Sequence, residues 1–251
     1  MKLNTNSNLY TFIYSAVMVI IVAVLLAVVS QALAPKQQAN ILLDKQKQIL
    51  GALKVDYTNA DPAEVYYTLV QDTIYLSAEG GLTGEAGPTA EGGQTSKEVY
   101  VANLNGETKY ILPLSGKGLW GGIGGYLALD ADKNTVYGVN FNHESETPGL
   151  GAKIVELPFR EQFEGKHIRN AAGEVVSVAV LKAGKHAEGQ EQVDAISGAT
   201  ITSSGVSTML HEELVNNYQE FLAGEAGLTA ESDPTAEGGL TGEAGQFNTE
   251  D

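Results

Sequence analysis

Cysteine is absent from this chain of 251 residues. Its absence excludes disulfide bonds, thiolate nucleophiles, cysteine-held iron–sulfur clusters and zinc sites that use cysteine. The absence of cysteine does not identify the redox compartment, because a protein without thiols is compatible with either side of a membrane. Histidine is also scarce. None of the 4 histidines lies three or four residues from another, so the sequence predicts no metal site.

Positive charge is in short supply as well. Lysine and arginine number 15 against 31 aspartate and glutamate residues, which gives a net charge of −16. A nucleic-acid-binding surface needs a basic footprint to neutralise phosphates, so the composition argues against nucleic acid as a partner. Part of the acidity lies in glycine-rich, low-complexity segments and therefore does not indicate an acidic binding face.

The beginning of the chain has no charged residue between Lys2 and Lys36. Within this stretch, residues 9–33 are almost wholly apolar. Roughly 25 such residues in a helix are enough to cross the ~30 Å hydrocarbon core of a bilayer. We therefore predict a single membrane anchor over residues 1–35.

A cleaved signal peptide is the alternative interpretation of this segment. Ala32, Leu33 and Ala34 imitate a cleavage site. The apolar run is longer than the apolar part of a typical signal peptide, and Pro35 directly after the site should hinder cleavage. We favour a retained anchor. The lysines that follow the span leave its orientation ambiguous by the positive-inside rule.

Residues 36–76 are predicted to form a helical stalk and the start of a soluble domain. Residues 39–50 favour a helix with Gly51 as its C-cap, and this helix could extend the membrane helix beyond Pro35. The pair Asp61-Pro62 predicts a second helix start, with aspartate as N-cap and proline at the first helical position.

Two low-complexity segments share a repeated sequence. Residues 78–87 recur unchanged as residues 236–245. Segments so rich in glycine, glutamate, alanine and threonine bury little apolar area against their ordering entropy. We therefore predict a mobile insertion over residues 77–96 and a disordered acidic tail over residues 223–251.

Between these segments lies a strand-rich domain over residues 97–222. Asn105-Gly106 separates two alternating runs, which is a strong signal for a β-hairpin. Residues 125–129 and 135–141 flank a second turn, and residues 174–181 predict a further strand. Helices at 158–164 and 201–221 would cover one face of an antiparallel sheet, so the predicted fold class is α+β.

A glycine-rich stretch at residues 115–125 matches neither common nucleotide-binding loop. Ile111 stands where a Walker A loop needs its first glycine, and Leu127 occupies the third glycine position of the dinucleotide fingerprint. Trp120, the only tryptophan, has two interpretations. It fills the core beside a glycine-rich turn, or it forms the wall of a site for a planar ligand.

Residues 194–203 concentrate hydroxyl groups at the start of the predicted helix 201–221. Thr200 therefore lies near a helix N-terminus, where free N–H groups and the helix dipole favour a phosphate. Gly198 and Ala199 would let a ligand approach the backbone closely. The alternative is an ordinary N-cap, in which the hydroxyl of Thr200, Thr202 or Ser203 satisfies the unpaired N–H groups.

Two motifs in this sequence resemble those of a known family. Ser197-Gly198-Ala199-Thr200 resembles the flavinylation motif of FMN-binding subunits in sodium-translocating NADH:quinone reductases and the related Rnf complexes. Residues 146–151, with the sequence ETPGLG, are similar to a segment that lies against the flavin ring in both. The resemblance runs from the apolar span to about residue 221. Residues 115–120 and the region after the anchor are more similar to the sodium-translocating family.

The resemblance implies an FMN-binding domain on a membrane anchor. The FMN would be joined to Thr200 by a phosphoester, which a separate flavin transferase makes from FAD. Thr200 would then be a modified residue, and the resemblance implies no catalytic residue and no NADH site in this chain. The remaining cofactor-binding residues would be Ser197, Gly198 and Ala199 around the attachment point and Trp120, Glu146, Thr147 and Leu150 along the flavin ring.

The same resemblance implies a subunit of a multi-subunit redox pump in the bacterial inner membrane. The amino terminus would be cytoplasmic and the soluble domain periplasmic, and the pump would couple NADH oxidation and quinone reduction to sodium export. Two alternatives stay open from the residues themselves. One is an Rnf-type subunit that passes electrons between ferredoxin and NAD, and the other is a flavin-free anchored scaffold domain.

Overall fold

The computed structural model describes residues 8–76, 82–83 and 97–224. Its first element is one helix, α1 (Asn8–Ala52), which carries Pro35 in its interior. Within the described ranges it is the one helix long and apolar enough to cross a membrane, with a mean hydropathy of 3.0 in its most apolar window. The predicted stalk is therefore a direct continuation of the apolar helix.

The predicted C-cap at Gly51 is wrong, because Gly51 lies inside α1. The glycine instead permits close packing: a Cβ at this position would fall 2.7 Å from Asn140 Nδ2. The left-handed conformation that often ends a helix is taken by Lys54, whose φ is 56°. The start of α2 (Pro62–Leu69) is as predicted, since the Asp61 carboxylate accepts a hydrogen bond from Ala63 N at 3.0 Å.

The centre of the domain is a six-stranded sheet. Its strands are β1 (Val70–Leu76), β2 (Leu82–Thr83), β3 (Lys97–Leu104), β4 (Glu107–Lys117), β5 (Gly122–Leu129) and β6 (Val136–His143). They lie in the order β2-β1-β3-β4-β5-β6 with antiparallel neighbours throughout. Asn105 and Gly106 form the tight turn of the β3–β4 hairpin, with φ values of 55° and 89°.

The predicted strand at residues 174–181 is largely wrong. Only β7 (Ala179–Leu181) is a strand, and it pairs in parallel with β8 (Gln192–Asp194) in a separate two-stranded sheet. The reason is local: Ser177 has a φ of 69°, which breaks the extended backbone before β7. The sheet also begins earlier than residue 97, because β1 pairs with β3.

Helices cover both faces of the large sheet. On one face, α3 (Leu157–Arg160) and α4 (Thr200–His211) pack into the main core through residues such as Phe159, Val206 and Met209. On the other face, Ile49 and Ala52 at the end of α1 and Leu53 directly after it form a second core with strands β3 to β5. The sequence predicted the first layer and missed the second. The α+β fold class is confirmed.

The predicted helix 201–221 is interrupted after α4. Residues Glu212–Asn217 form a π-helical segment, and α5 (Gln219–Ala223) follows. Buried Glu213 in this segment pairs with Lys97 Nζ at 2.8 Å, and the Tyr218 hydroxyl donates to the Pro113 carbonyl at 3.1 Å. These contacts connect the π-helical segment and the residue after it to strands β3 and β4 of the sheet. The predicted insertion over residues 77–96 contains the short strand β2, which lies in the first repeat and pairs with β1. The rest of both repeats, and most of the predicted insertion and tail, lie outside the described residues.

Candidate functional site

Thr200 is the first residue of α4 and is exposed to solvent. The N-cap residue is Ala199, which has no side chain able to cap the helix, so the hydroxyl N-cap hypothesis is wrong. Ser203 Oγ accepts a hydrogen bond from Ile196 N, and the Thr202 hydroxyl donates to Glu146. In the described part of the chain, no hydrogen bond engages the Thr200 hydroxyl.

The loop before α4 is shaped by Gly198 and Ala199. Gly198 has a φ of 78°, and a Cβ there would fall 3.0 Å from Leu150 Cδ2. Glycine therefore permits both the left-handed backbone and the close approach of Leu150. Ala199 is buried and donates its N–H to the Ile196 carbonyl, while Ser197 is exposed. The structure thus brings Leu150 against the loop that leads into Thr200.

Glu146 joins three segments that are distant in sequence. Glu146 is 4% exposed, and its carboxylate accepts hydrogen bonds from Trp120 N at 2.8 Å and from Thr202 Oγ1 at 2.5 Å. Burial opposes its ionisation. The Thr202 hydroxyl and three backbone N–H groups of residues 119–121 outweigh burial and hold the pKa of Glu146 below its ordinary value. The carboxylate is therefore a buried anion that connects the β4–β5 turn to α4.

Two glycines make room for this carboxylate. A Cβ at Gly118 would fall 2.5 Å from Glu146 Oε1, and a Cβ at Gly151 would fall 2.6 Å from Thr202 Oγ1 as well as against Glu146. Neither distance is compatible with a normal side-chain contact. Glycine at both positions is therefore required for the Glu146 carboxylate to pack between the β4–β5 turn and α4.

Trp120 is 67% exposed, so the interpretation that it fills the core is wrong. It lies in the turn between β4 and β5, which is closed by a hydrogen bond from Gly118 N to the Gly121 carbonyl. Leu119 in the same turn is exposed, as are Leu150 and Ile201. The hydrogen bonds of Glu146 hold the turn of Leu119 and Trp120 near α4, whose first residues follow the loop that Leu150 approaches. Exposed apolar side chains at such a place are of the kind that a planar ring can cover.

Thr147 begins the turn that carries Leu150. Its side chain is exposed, and its carbonyl accepts hydrogen bonds from Leu150 N and Ala152 N, both at 3.1 Å. Gly149 supplies the left-handed residue of this turn with a φ of 76°. Thr147 therefore fixes the course of the loop through its backbone.

The structure brings the segments of the predicted site residues together at one end of the sheet. Trp120, Glu146 and the start of α4 converge through hydrogen bonds, and Leu150 contacts the loop before Thr200. The sequence assigned no role to Thr202 beyond a cap and none to Leu119. The hydroxyl-rich run marked Thr202 as a polar residue near the site. It could not identify the hydrogen-bond partner of Thr202, because Glu146 lies 56 residues away in the sequence.

Known proteins share both the sequence pattern and the fold of this region. The family model described as FMN-binding domain matches residues 118–215, a range that includes every predicted site residue. The NqrC component of the Na(+)-translocating NADH-quinone reductase from Pseudomonas aeruginosa is 31% identical, with 88% of this chain and 97% of that protein covered. The chain belongs to the NqrC family.

Solved structures of NqrC proteins share the fold. A crystal structure from Parabacteroides distasonis has 40% sequence identity and a TM-score of 0.70, and it covers 77% of this chain and 98% of the other. A second, from Shewanella oneidensis, has 24% identity and a TM-score of 0.60 and supports the fold alone. The sequence predicted a closer resemblance to the sodium-translocating reductases than to the Rnf complexes, and the assignment to the NqrC family agrees with that prediction.

Proposed function

We propose that this chain is a membrane-anchored electron-transfer subunit of a Na⁺-translocating NADH:quinone reductase and carries FMN covalently on Thr200. The observation that carries the proposal is the exposed Thr200 hydroxyl at the first turn of α4, inside the sequence Ser197-Gly198-Ala199-Thr200. Membership of the NqrC family and the FMN-binding domain match support the complex and the cofactor.

The residues around Thr200 fit a flavin phosphate. Its hydroxyl oxygen would form the phosphoester, and the first N–H groups of α4 together with the helix dipole favour the negative charge. Attachment from FAD would join Thr200 Oγ1 to the FMN-side phosphorus, break the pyrophosphate bond and release AMP, with loss of the hydroxyl proton. A flavin transferase would catalyse this step, since the described site offers no base beside Thr200.

The apolar surface of Leu119, Trp120 and Leu150 would hold the isoalloxazine ring. When bound, FMN supplies the redox chemistry, so the chain needs only to position the ring and limit its contact with water. Glu146 contributes by fixing the β4–β5 turn relative to α4. Because its carboxylate is buried, we assign it a positioning role and leave the ring contacts to the apolar side chains.

The proposed location is the bacterial inner membrane, with α1 as anchor and the soluble domain on the periplasmic side. The exposed apolar part of α1 supports the anchor. NADH would bind elsewhere in the complex, because the glycine-rich stretch of this chain lacks the dinucleotide fingerprint. The flavin on Thr200 would accept electrons from one redox centre of the complex and pass them to another.

Intact mass of the protein purified from its native membrane tests the proposal. We expect added mass of about 438 Da, the formula of FMN less water, together with flavin fluorescence that survives denaturation. Both should vanish in Thr200→Ala and persist in Thr208→Ala, which changes another exposed threonine of α4. A native protein without added mass, from cells that flavinylate other targets, would favour the flavin-free scaffold.

A further inference from the structure

One edge of the large sheet is covered over only part of its length. On its inner side, β1 pairs with β3 along the whole strand. On its outer side, β2 pairs only with the end of β1, with Thr83 opposite Tyr75 and Leu82 opposite Leu76. Within the described ranges, residues 70–74 have no strand on that side. An open strand edge presents backbone N–H and C=O groups to which a further strand can pair.

The strand that covers this edge belongs to the sequence that occurs twice. β2 lies in residues 78–87, and residues 236–245 repeat that sequence without change. In the second copy, Leu240 and Thr241 stand in the places of Leu82 and Thr83. Strands pair through their backbone groups, and the side-chain pattern selects the register. An identical sequence therefore has the same preference for β1, in the same antiparallel register.

The second copy is far enough along the chain to reach this edge. The sheet is six strands wide, and its longest strand has 11 residues. At ~4.8 Å between strands and ~3.3 Å per residue, the diagonal of the sheet is about 43 Å. Gly224, the last described residue, lies at the domain, where its carbonyl accepts a hydrogen bond from Lys133 Nζ at 3.3 Å. The chain from Gly224 to Leu240 extends to ~53 Å, which is enough to cross the whole sheet.

The two copies differ in the length of chain that must close for pairing. Residues 77–81 join β1 to the first copy, whereas residues 225–239 join Gly224 to the pairing residues of the second. Because closure entropy grows as (3/2)RT ln n, a threefold longer connection is disfavoured about 5-fold. The first copy is therefore the preferred strand, in agreement with the pairing of β2, and the second copy is the less populated alternative.

We propose that residues 236–245 are a second strand for the β1 edge and exchange there with β2 of the same chain. In the exchanged form, Thr241 lies opposite Tyr75 and Leu240 lies opposite Leu76. Only backbone hydrogen bonds change partners. The exchange releases β2 from the sheet and brings the end of the chain back to the domain. The inference goes beyond the proposed function, since it involves neither Thr200 nor the flavin.

Engineered disulfides measure this exchange, because the chain has no cysteine of its own. Opposed residues in antiparallel strands have Cα atoms about 4.5–5.5 Å apart, which a disulfide can bridge. The full-length, FMN-carrying chain with Tyr75→Cys and Thr241→Cys is purified in reduced form and oxidised in a glutathione buffer. Mass spectrometry of the unreduced digest gives the crosslinking rate. We expect about one fifth of the rate of the reference pair, Tyr75→Cys with Thr83→Cys.

The matched controls move the second cysteine to threonines on either side of the pairing residues. With Tyr75→Cys, both Thr235→Cys and Thr249→Cys should crosslink at least about 5-fold more slowly than Thr241→Cys, because a strand in register brings only residue 241 opposite residue 75. Equal rates at the three positions would overturn the proposal, because they would indicate random collisions of the tail with the edge.

A further variant tests the competition between the copies. Leu82→Pro combined with Thr83→Pro removes both backbone donors of β2. The 75–241 crosslink should then form several-fold faster, because the preferred strand no longer holds the edge. In the chain without cysteines, the same prolines should slow hydrogen exchange of the amides at 240 and 241. A crosslinking rate and an exchange rate that both stay unchanged would overturn the exchange.

Mixtures of isotope-labelled and unlabelled chains identify the source of the strand. A 75–241 crosslink within one chain supports the proposal. A crosslink that joins labelled to unlabelled chains would assign the edge to a second copy and overturn exchange within the chain. Loss of the crosslink only in the assembled complex would assign the edge to another subunit and also overturn it. The FMN mass is read on the same chains, and its absence would bear on the proposed function alone.

Discussion

The Thr202 hydroxyl donates a hydrogen bond of 2.5 Å to the buried Glu146 carboxylate. The other carboxylate oxygen of Glu146 accepts from Trp120 N, so one side chain connects α4 to the β4–β5 turn. A hydrogen bond to a charged group contributes about 1.5–3 kcal/mol, more than a neutral one. The positions of Trp120 and Thr200 relative to each other therefore depend on the charge and length of Glu146.

Glu146→Gln should destabilise the domain by about 1–3 kcal/mol. The glutamine amide is uncharged, and its NH₂ group cannot accept the hydrogen bond of a backbone N–H that it faces. Urea denaturation of the full chain in detergent measures the change. Glu144→Gln is the matched control, since Glu144 is exposed and accepts one hydrogen bond, from Gly122 N. Equal stability of the two variants would contradict the account of Glu146.

The lowered pKa of Glu146 predicts a particular dependence of stability on pH. Its folded-state pKa lies below the unfolded value, which is ~4.3 for glutamate. Its contribution to the free energy of unfolding is therefore complete above the unfolded value and is lost as pH falls through the folded value. Below pH ~4.3 the Glu146→Gln chain should lose less stability per pH step than the native chain. Parallel curves for both chains would contradict this.

Thr202→Val should reduce both stability and flavin content. Valine has nearly the shape of threonine but leaves Glu146 Oε2 without its donor, which costs about 1–3 kcal/mol. Thr202→Ser keeps the hydroxyl and should restore most of the loss. The measurements are urea denaturation and the fraction of chains with the FMN mass. Full flavin content in Thr202→Val would show that the attachment step does not depend on this hydrogen bond.

Gly151→Ala should destabilise the domain by about 1–3 kcal/mol, because a methyl group there overlaps Glu146 and Thr202. Gly224→Ala is the control, since a Cβ at Gly224 meets its nearest neighbour at an ordinary 3.6 Å. Thermal unfolding of both variants measures the difference. If alanine at 151 were tolerated as well as at 224, the carboxylate would not be as closely packed as the structure shows.

Local sequence signals predicted much of the fold. Asn105-Gly106 marked a hairpin because both residues accept a positive φ, and Asp61-Pro62 marked a helix start through capping. The turn signals at Asn105-Gly106 and at residues 130–134 separated the runs that form β3, β4, β5 and β6. Each of these features depends on residues within a few positions of one another.

Features that depend on tertiary contacts could not be predicted in this way. β1 pairs with β3 across the repetitive segment, and β7 pairs in parallel with β8. At the site, family resemblance supplied Glu146, but the expectation was contact with the flavin ring. Its buried position follows from Thr202, 56 residues away, and no local pattern encodes that partner.

The most direct test of the account is the site of flavin attachment, determined by tandem mass spectrometry of a digest of the native protein. We predict the FMN phosphoester on Thr200 and no flavin on the neighbouring hydroxyls. Ser197 and Ser204 are exposed, so they are the informative competitors, whereas Thr202 and Ser203 are buried. Flavin found on Ser197, or a Thr200 peptide that is entirely unmodified in a flavin-containing preparation, would contradict the assignment of Thr200.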